Sequence, residues 1–133
     1  MVRLTVNAVS GNVNQVLDST ASFLKNTHFD NKTVSQVLLA VEEVFVNVCS
    51  YAYSPLTGKC TIDYENLPGR VCIKISDEGI PYNPLLKQNP DITLDAESRE
   101  IGGLGILLVK KLMDDVSYAC SEGKNILLLT KNK

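Results

Sequence analysis

Val2, Leu4, Val6 and Ala8 alternate with polar partners, which predicts a strand that Ser10-Gly11-Asn12 then ends. From Val13 the period lengthens. Val16, Leu17, Ala21 and Leu24 follow helical spacing, and His28-Phe29-Asp30 closes that helix. Asn31 is placed to cap a second helix, in which Val34, Val37, Leu38, Val41, Val44, Phe45 and Val48 form a long apolar face running towards Tyr51. Ser54-Pro55-Leu56-Thr57-Gly58 ends it. Cys60, Ile62 and Tyr64 then alternate with Thr61, Asp63 and Glu65, and Val71, Ile73 and Ile75 repeat the pattern beyond Asn66-Leu67-Pro68-Gly69. Pro-Gly between two such runs predicts an antiparallel hairpin. Residues 79–101 contain Pro81, Pro84 and Pro90 with no sustained period, and so long an irregular stretch inside a small domain reads as a functional lid. A helix from about Leu104 to Met113, a strand through Val116, Tyr118 and Cys120, a turn at Glu122-Gly123-Lys124 and a buried closing strand from Ile126 to Leu129 complete the chain. This order predicts an α+β fold, with helices layered on one face of a mainly antiparallel sheet, in a single domain spanning residues 1–133.

Composition fits that picture. The 133 residues are 44% hydrophobic and 21% charged, ordinary values for a globular domain able to bury its own core. Met1-Val2-Arg3-Leu4-Thr5-Val6 alternates, unlike a signal peptide, and no apolar run reaches bilayer length, so the expected location is cytoplasmic with no membrane partner. Cys49, Cys60, Cys72 and Cys120 form no C-x-x-C pair and only His28 is available beside them, which argues against zinc; each sits among apolar neighbours and reads as a small buried hydrophobe. A net charge of −2, with Lys110-Lys111 the only basic pair in a structured region, argues against direct nucleic-acid binding.

The chemistry concentrates in three stretches. On a wheel of about 100° per residue, Gln36, Glu43, Asn47 and Ser50 fall in a stripe about 60° wide on the second helix, with Leu39 and Val46 on one side and Ala40 and Tyr51 on the other. Such residues often just face water. Yet asparagine is a mediocre helix former, and its neutral carbonyl oxygen suits magnesium, which prefers hard oxygen donors; Glu43, one turn earlier, is placed to take a proton from a hydroxyl or water near a terminal phosphate. Asp77 and Gly79 lie where the chain leaves the sheet. They either end a strand or hold a base, the acid accepting a hydrogen bond from an exocyclic amine while the glycine allows close approach. Gly102-Gly103-Leu104-Gly105 opens a helix, which serves either flexibility or an anion at the helix N-terminus. It matches neither the P-loop nor G-x-G-x-x-G.

Taken together, Glu43-x-x-x-Asn47, Asp77-x-Gly79 and Gly102-Gly103-Leu104-Gly105 resemble the N, G1 and G2 boxes of the ATPase superfamily that includes gyrase, the heat-shock chaperones, histidine kinases and mismatch-repair proteins. Within it, Asp77-Glu78-Gly79-Ile80-Pro81-Tyr82-Asn83-Pro84 and the segment Gly105 to Asp114 resemble the small bacterial anti-sigma factor serine/threonine kinases. The resemblance implies a two-layer α/β sandwich with a mixed, mainly antiparallel sheet. It also implies ATP and Mg²⁺, with Glu43 as general base, Asn47 as metal ligand, Asp77 as adenine anchor, Gly79 beside the base, and Gly102, Gly103, Leu104 and Gly105 as phosphate cradle. Arg99 lies where relatives often place a basic residue. The implied partners are a protein antagonist with an acceptor serine or threonine, a sigma factor, and a second copy of the chain, since homodimers are common there. Pro81, Tyr51 and Asn125 depart from the usual pattern. The resulting expectation is ATP-dependent phosphorylation of a protein hydroxyl; the alternative is a non-catalytic partner-binding module that uses nucleotide only to order its lid.

Overall fold

The computed structural model describes residues 2–52, 58–86 and 103–133. Five strands, β1 (Val2–Asn7), β2 (Lys59–Leu67), β3 (Arg70–Asp77), β4 (Asp115–Ser121) and β5 (Lys124–Asn132), form one sheet in the order β1-β2-β3-β5-β4. Every ladder among the described residues is antiparallel, so the expected mixed sheet is corrected to a wholly antiparallel one. Short turns dictate much of this, because two-residue connections can join only antiparallel neighbours. Pro68-Gly69, with Gly69 at φ 81°, joins β2 to β3, and Glu122-Gly123, at φ 53° and 76°, joins β4 to β5 in the doubly left-handed geometry that matches strand twist.

Three helices cover one face: α1 (Val13–Leu24), α2 (Asn31–Asn47) and α3 (Gly103–Leu112), with α2 packed against both of the others. Val37, Ala40, Val41, Val44 and Phe45 of α2 are buried against the inward residues Ile62, Tyr64, Val71, Ile73, Ile75 and Leu129 of the sheet. The polar tip of Tyr64 in this core is satisfied. The Tyr64 hydroxyl and Thr20 Oγ1 lie 2.8 Å apart, and Phe23 stacks on the Tyr64 ring at 5.0 Å. On the outer face Arg3 grips Asp63 through Nε at 2.6 Å and Nη2 at 3.2 Å.

Three sequence expectations are corrected here. The cap of α2 is Asp30, not Asn31: the extended Asp30 backbone lets its carboxylate accept the Thr33 N–H at 2.8 Å, an anion at the positive end of the helix. Beyond Asn47 the helix widens into a π turn, Val48–Ala52. The continuous helical stretch Asn31–Ala52 is therefore 22 residues long with a mean hydropathy of 1.3, enough by length and composition to cross a bilayer. Its inward residues Val37, Val41, Val44, Phe45 and Val48 are nonetheless buried in the core, as expected of an amphipathic helix packed on a sheet. Lastly, Cys60 is buried and Cys49 and Cys72 are half-buried, but Cys120 is exposed, because it lies near the end of β4, an edge strand of which the helix layer covers little.

Candidate functional site

The site begins with one rung of the sheet. Cross-strand pairing aligns Val6, Cys60, Asp77, Asn125 and Cys120 across all five strands. Asp77 continues the inward series Val71, Ile73 and Ile75, and Asn125 the series Leu127 and Leu129, so two polar side chains meet at the end of an apolar face. Both are nearly enclosed, at 8% and 7% exposure. Oδ1 of Asp77 accepts two donors, the Gly79 N–H and Asn125 Nδ2, each at 2.9 Å. Asn125 Nδ2 also donates to the Ile80 carbonyl at 3.0 Å, while its Oδ1 accepts the Tyr82 N–H at 3.1 Å and the Tyr118 hydroxyl.

Gly79 is required by close packing. A Cβ there would lie 2.1 Å from the Ala52 carbonyl oxygen, which accepts the Ile80 N–H at 2.8 Å. The π turn at the end of α2 is thereby tied to the segment leaving β3. Between these elements lies a cavity bordered by Asn47, Tyr51, Asp77, Tyr82, Tyr118 and Asn125 over an apolar floor that includes Val44, Ile75 and Leu127. Its free volume is about 40 Å³. Sites for small molecules usually measure about 300–1,000 Å³. The Tyr51 and Tyr82 rings, which both border it, stack at 5.4 Å and 19°, and the space beside them is smaller than a purine.

Of the expected site residues, Asn47 and Asp77 come together in this cavity. Glu43 lies one turn earlier on α2, half-buried, and does not line it. The polar stripe runs along a boundary: Ala40 is fully buried on one side, while Leu39 and Val46 are 37% and 39% exposed on the other. Gly103, Leu104 and Gly105 form the first turn of α3, and Lys110 and Lys111 occupy its last turn, where cations complement the helix dipole. Gly102 and Arg99, with most of the expected lid, lie outside the described residues. Among the described residues no three His, Cys, Asp or Glu side chains form a metal cage, so a divalent ion held by the neutral Asn47 oxygen would complete its shell with water and phosphate oxygens, the habit of magnesium.

Burial dominates the electrostatics beneath this rung. It pushes the Cys60 thiol up to about 12, with the nearby Asp77 and Cys49 adding to the rise. Sequence reasoning gave Tyr118 no place at the cavity, Tyr82 only a place in the motif that follows Asp77, and Asn125 only a departure from a pattern. The signal for Asn125 was its place immediately after the Glu122-Gly123 turn, one step before the apolar run, but only strand register sets it opposite Asp77.

The profile of the family described as Histidine kinase-like ATPase domain matches residues 6–131. A relative named Serine-protein kinase RsbW, from Listeria monocytogenes serovar 1/2a, is 28% identical over 105 residues, covering 75% of this chain and 67% of its own length. A protein of the same name from Bacillus mycoides is 31% identical over 94 residues, covering 68% and 59% respectively. The Serine/threonine-protein kinase BtrW of Bordetella bronchiseptica is 26% identical over 95 residues, covering 71% and 67%. Among solved structures, the RsbU and RsbW domains of a Mycobacterium tuberculosis protein superpose with a TM-score of 0.63 at 14% identity, over 99% of this chain and 32% of that one. With its five-stranded antiparallel sheet, its helix layer and this match over nearly its whole length, the chain belongs to the histidine kinase-like ATPase domain family, in the anti-sigma factor serine/threonine kinase branch that its motifs resemble.

Proposed function

We propose that the protein is an ATP-dependent serine/threonine kinase that phosphorylates a protein antagonist and alternatively binds a sigma factor, acting in the cytoplasm. The observation that carries this reading is that Asn47 of α2 and Asp77 of β3, from elements far apart in sequence, border one cavity. Asp77 offers a carboxylate oxygen to the amine of adenine. Asn47 offers an oxygen to magnesium, which when bound neutralises phosphate charge. Glu43, one turn from Asn47 towards the helix start, accepts the proton of the acceptor hydroxyl as it attacks. The first turn of α3 and Gly102 supply backbone N–H groups for the phosphates, and Arg99 adds a cation near them.

The test is transfer of label from γ-labelled ATP to candidate antagonist proteins in the presence of magnesium. Glu43→Gln is expected to keep ATP binding and lose transfer by about a hundredfold or more. Asn47→Ala is expected to lose magnesium-dependent nucleotide binding as well. Equal transfer by wild type and Glu43→Gln rejects the base assignment.

A second reading has one observation in its favour, the 40 Å³ cavity with Tyr82 stacked on Tyr51 at its border. In that reading the chain captures its partner without catalysis and nucleotide only reorders the segment after β3. Tight capture of a partner with no labelled product across the antagonists supports it over the kinase.

A further inference from the structure

Glu43 does not line the cavity, so a hydroxyl that gives it a proton reaches it from the outer side of α2 and not through the space beside Asp77. Helix geometry fixes what lies on that side. On the wheel, Leu39 falls about 40° and Val46 about 60° to the same side of Glu43, one turn before it and one turn after. Both are exposed, as are Ser35 and Ser50 beyond them, whereas Ala40, Val41, Val44 and Phe45 are buried behind.

A single exposed aliphatic side chain needs no explanation. Leu39 and Val46, however, stand seven residues apart with a carboxylate between them, which makes an ordered strip about 10 Å long, the reach of about three residues of extended chain. Its charge is of one sign. Between Thr33 and Ser50 the only charged residues are Glu42 and Glu43, both half-buried, and among the described residues neither side chain makes an ion pair or a hydrogen bond. Carboxylates with no cation of their own attract one from a partner, and exposed aliphatic surface attracts apolar side chains.

We propose that Leu39, Glu42 and Val46 form the docking strip for the acceptor segment of the protein substrate, a short stretch whose reacting serine or threonine lies between apolar side chains and beside a basic one. This rests on the kinase reading above. Leu39 and Val46 take the apolar side chains on either side of Glu43, Glu42 takes the cation, and the hydroxyl is left over Glu43. None of the three borders the nucleotide cavity, so the choice of substrate is separate from the grip on nucleotide.

The experiment measures label transfer from γ-labelled ATP, with magnesium, to an antagonist protein that wild type phosphorylates, over a range of antagonist concentrations, beside calorimetric affinity for ADP. Leu39→Gln combined with Val46→Gln is expected to raise KM for the antagonist by about tenfold or more while kcat and ADP affinity stay near wild type, and Leu39→Met combined with Val46→Ile to keep the wild-type KM. Glu42→Gln is expected to raise KM by about threefold at low salt and to weaken its rise with salt. A KM unchanged by the glutamine pair overturns the proposal, and so does a parallel loss of ADP affinity, which a merely structural role would produce. A wild-type KM that does not respond to salt overturns the basic character of the segment. Should the glutamine pair not fold, the two single variants decide in the same way. A shift from dimer to monomer in sedimentation of the pair, with KM unchanged, assigns the strip to a second copy of the chain and likewise overturns the proposal. Wild type that binds ADP yet labels no antagonist overturns the kinase reading and this inference with it, whereas transfer with an unaltered KM in the variants overturns only the inference.

Discussion

Cys60 and Cys120 share a rung of the sheet yet differ in reactivity for a physical reason. Cys60 is sealed beneath the helices and its thiol is pushed up to about 12, whereas Cys120 is exposed on the edge strand. Since the thiolate is the reactive form, an alkylating reagent at pH 8 is expected to label Cys120 in the native protein and Cys60 only after unfolding, read by mass spectrometry of the peptides. The same shift sets a pH dependence. The unfolded chain releases the Cys60 proton near its ordinary value of 9 and the folded chain near 12, so native stability declines as pH rises through that window. Asp30 works in the opposite direction. Its hydrogen bonds to Thr33 hold the carboxyl below its ordinary value, so its contribution is present above about pH 4 and is lost as pH falls through the lowered folded value. Asp30→Ala is expected to lower the melting temperature at pH 7, with the gap from wild type closing in acid. Sequence alone missed this cap because Asp30 and Asn31 are neighbours and equally good candidates.

Among the elements, α2 and the segment after β3 depend on one another. Gly79 admits no side chain because the Ala52 carbonyl fills the space, and Gly79→Ala is expected to destabilise the fold by about 1–3 kcal/mol, measured by urea unfolding, through overcrowding of backbone that cannot yield. The glycine was legible as a close-approach position; that the approaching group is the chain's own π turn was not, since nothing in the apolar spacing marks where an α-helix widens. Both hairpins were readable from turn chemistry. The rung that joins Asp77 to Asn125 was not, because pairing between β3 and β5 crosses a helix and another strand, and periodicity fixes which face a residue takes but not which residue it opposes.

For the whole molecule, motif order carried the family and local spacing carried the layers, while the small volume of the cavity came only with coordinates. A ligand that binds only the folded state raises stability by mass action, about 2.7 kcal/mol at a hundredfold excess over its Kd. Magnesium with ATP is therefore expected to raise the melting temperature of wild type and, without magnesium or in Asn47→Ala, to raise it much less, as calorimetric melting would show. Because Tyr82 stacks on Tyr51 at the border of the cavity, a nucleotide that displaces it bears the cost of parting two rings, and Tyr82→Ala is expected to bind ATP faster in stopped-flow mixing. The bond from Ile80 to Ala52 has a metrical consequence. It fastens the helix that carries Glu43 and Asn47 to the strand end that carries Asp77, so the span between them is a built-in ruler, set by backbone and indifferent to how the surface side chains arrange themselves.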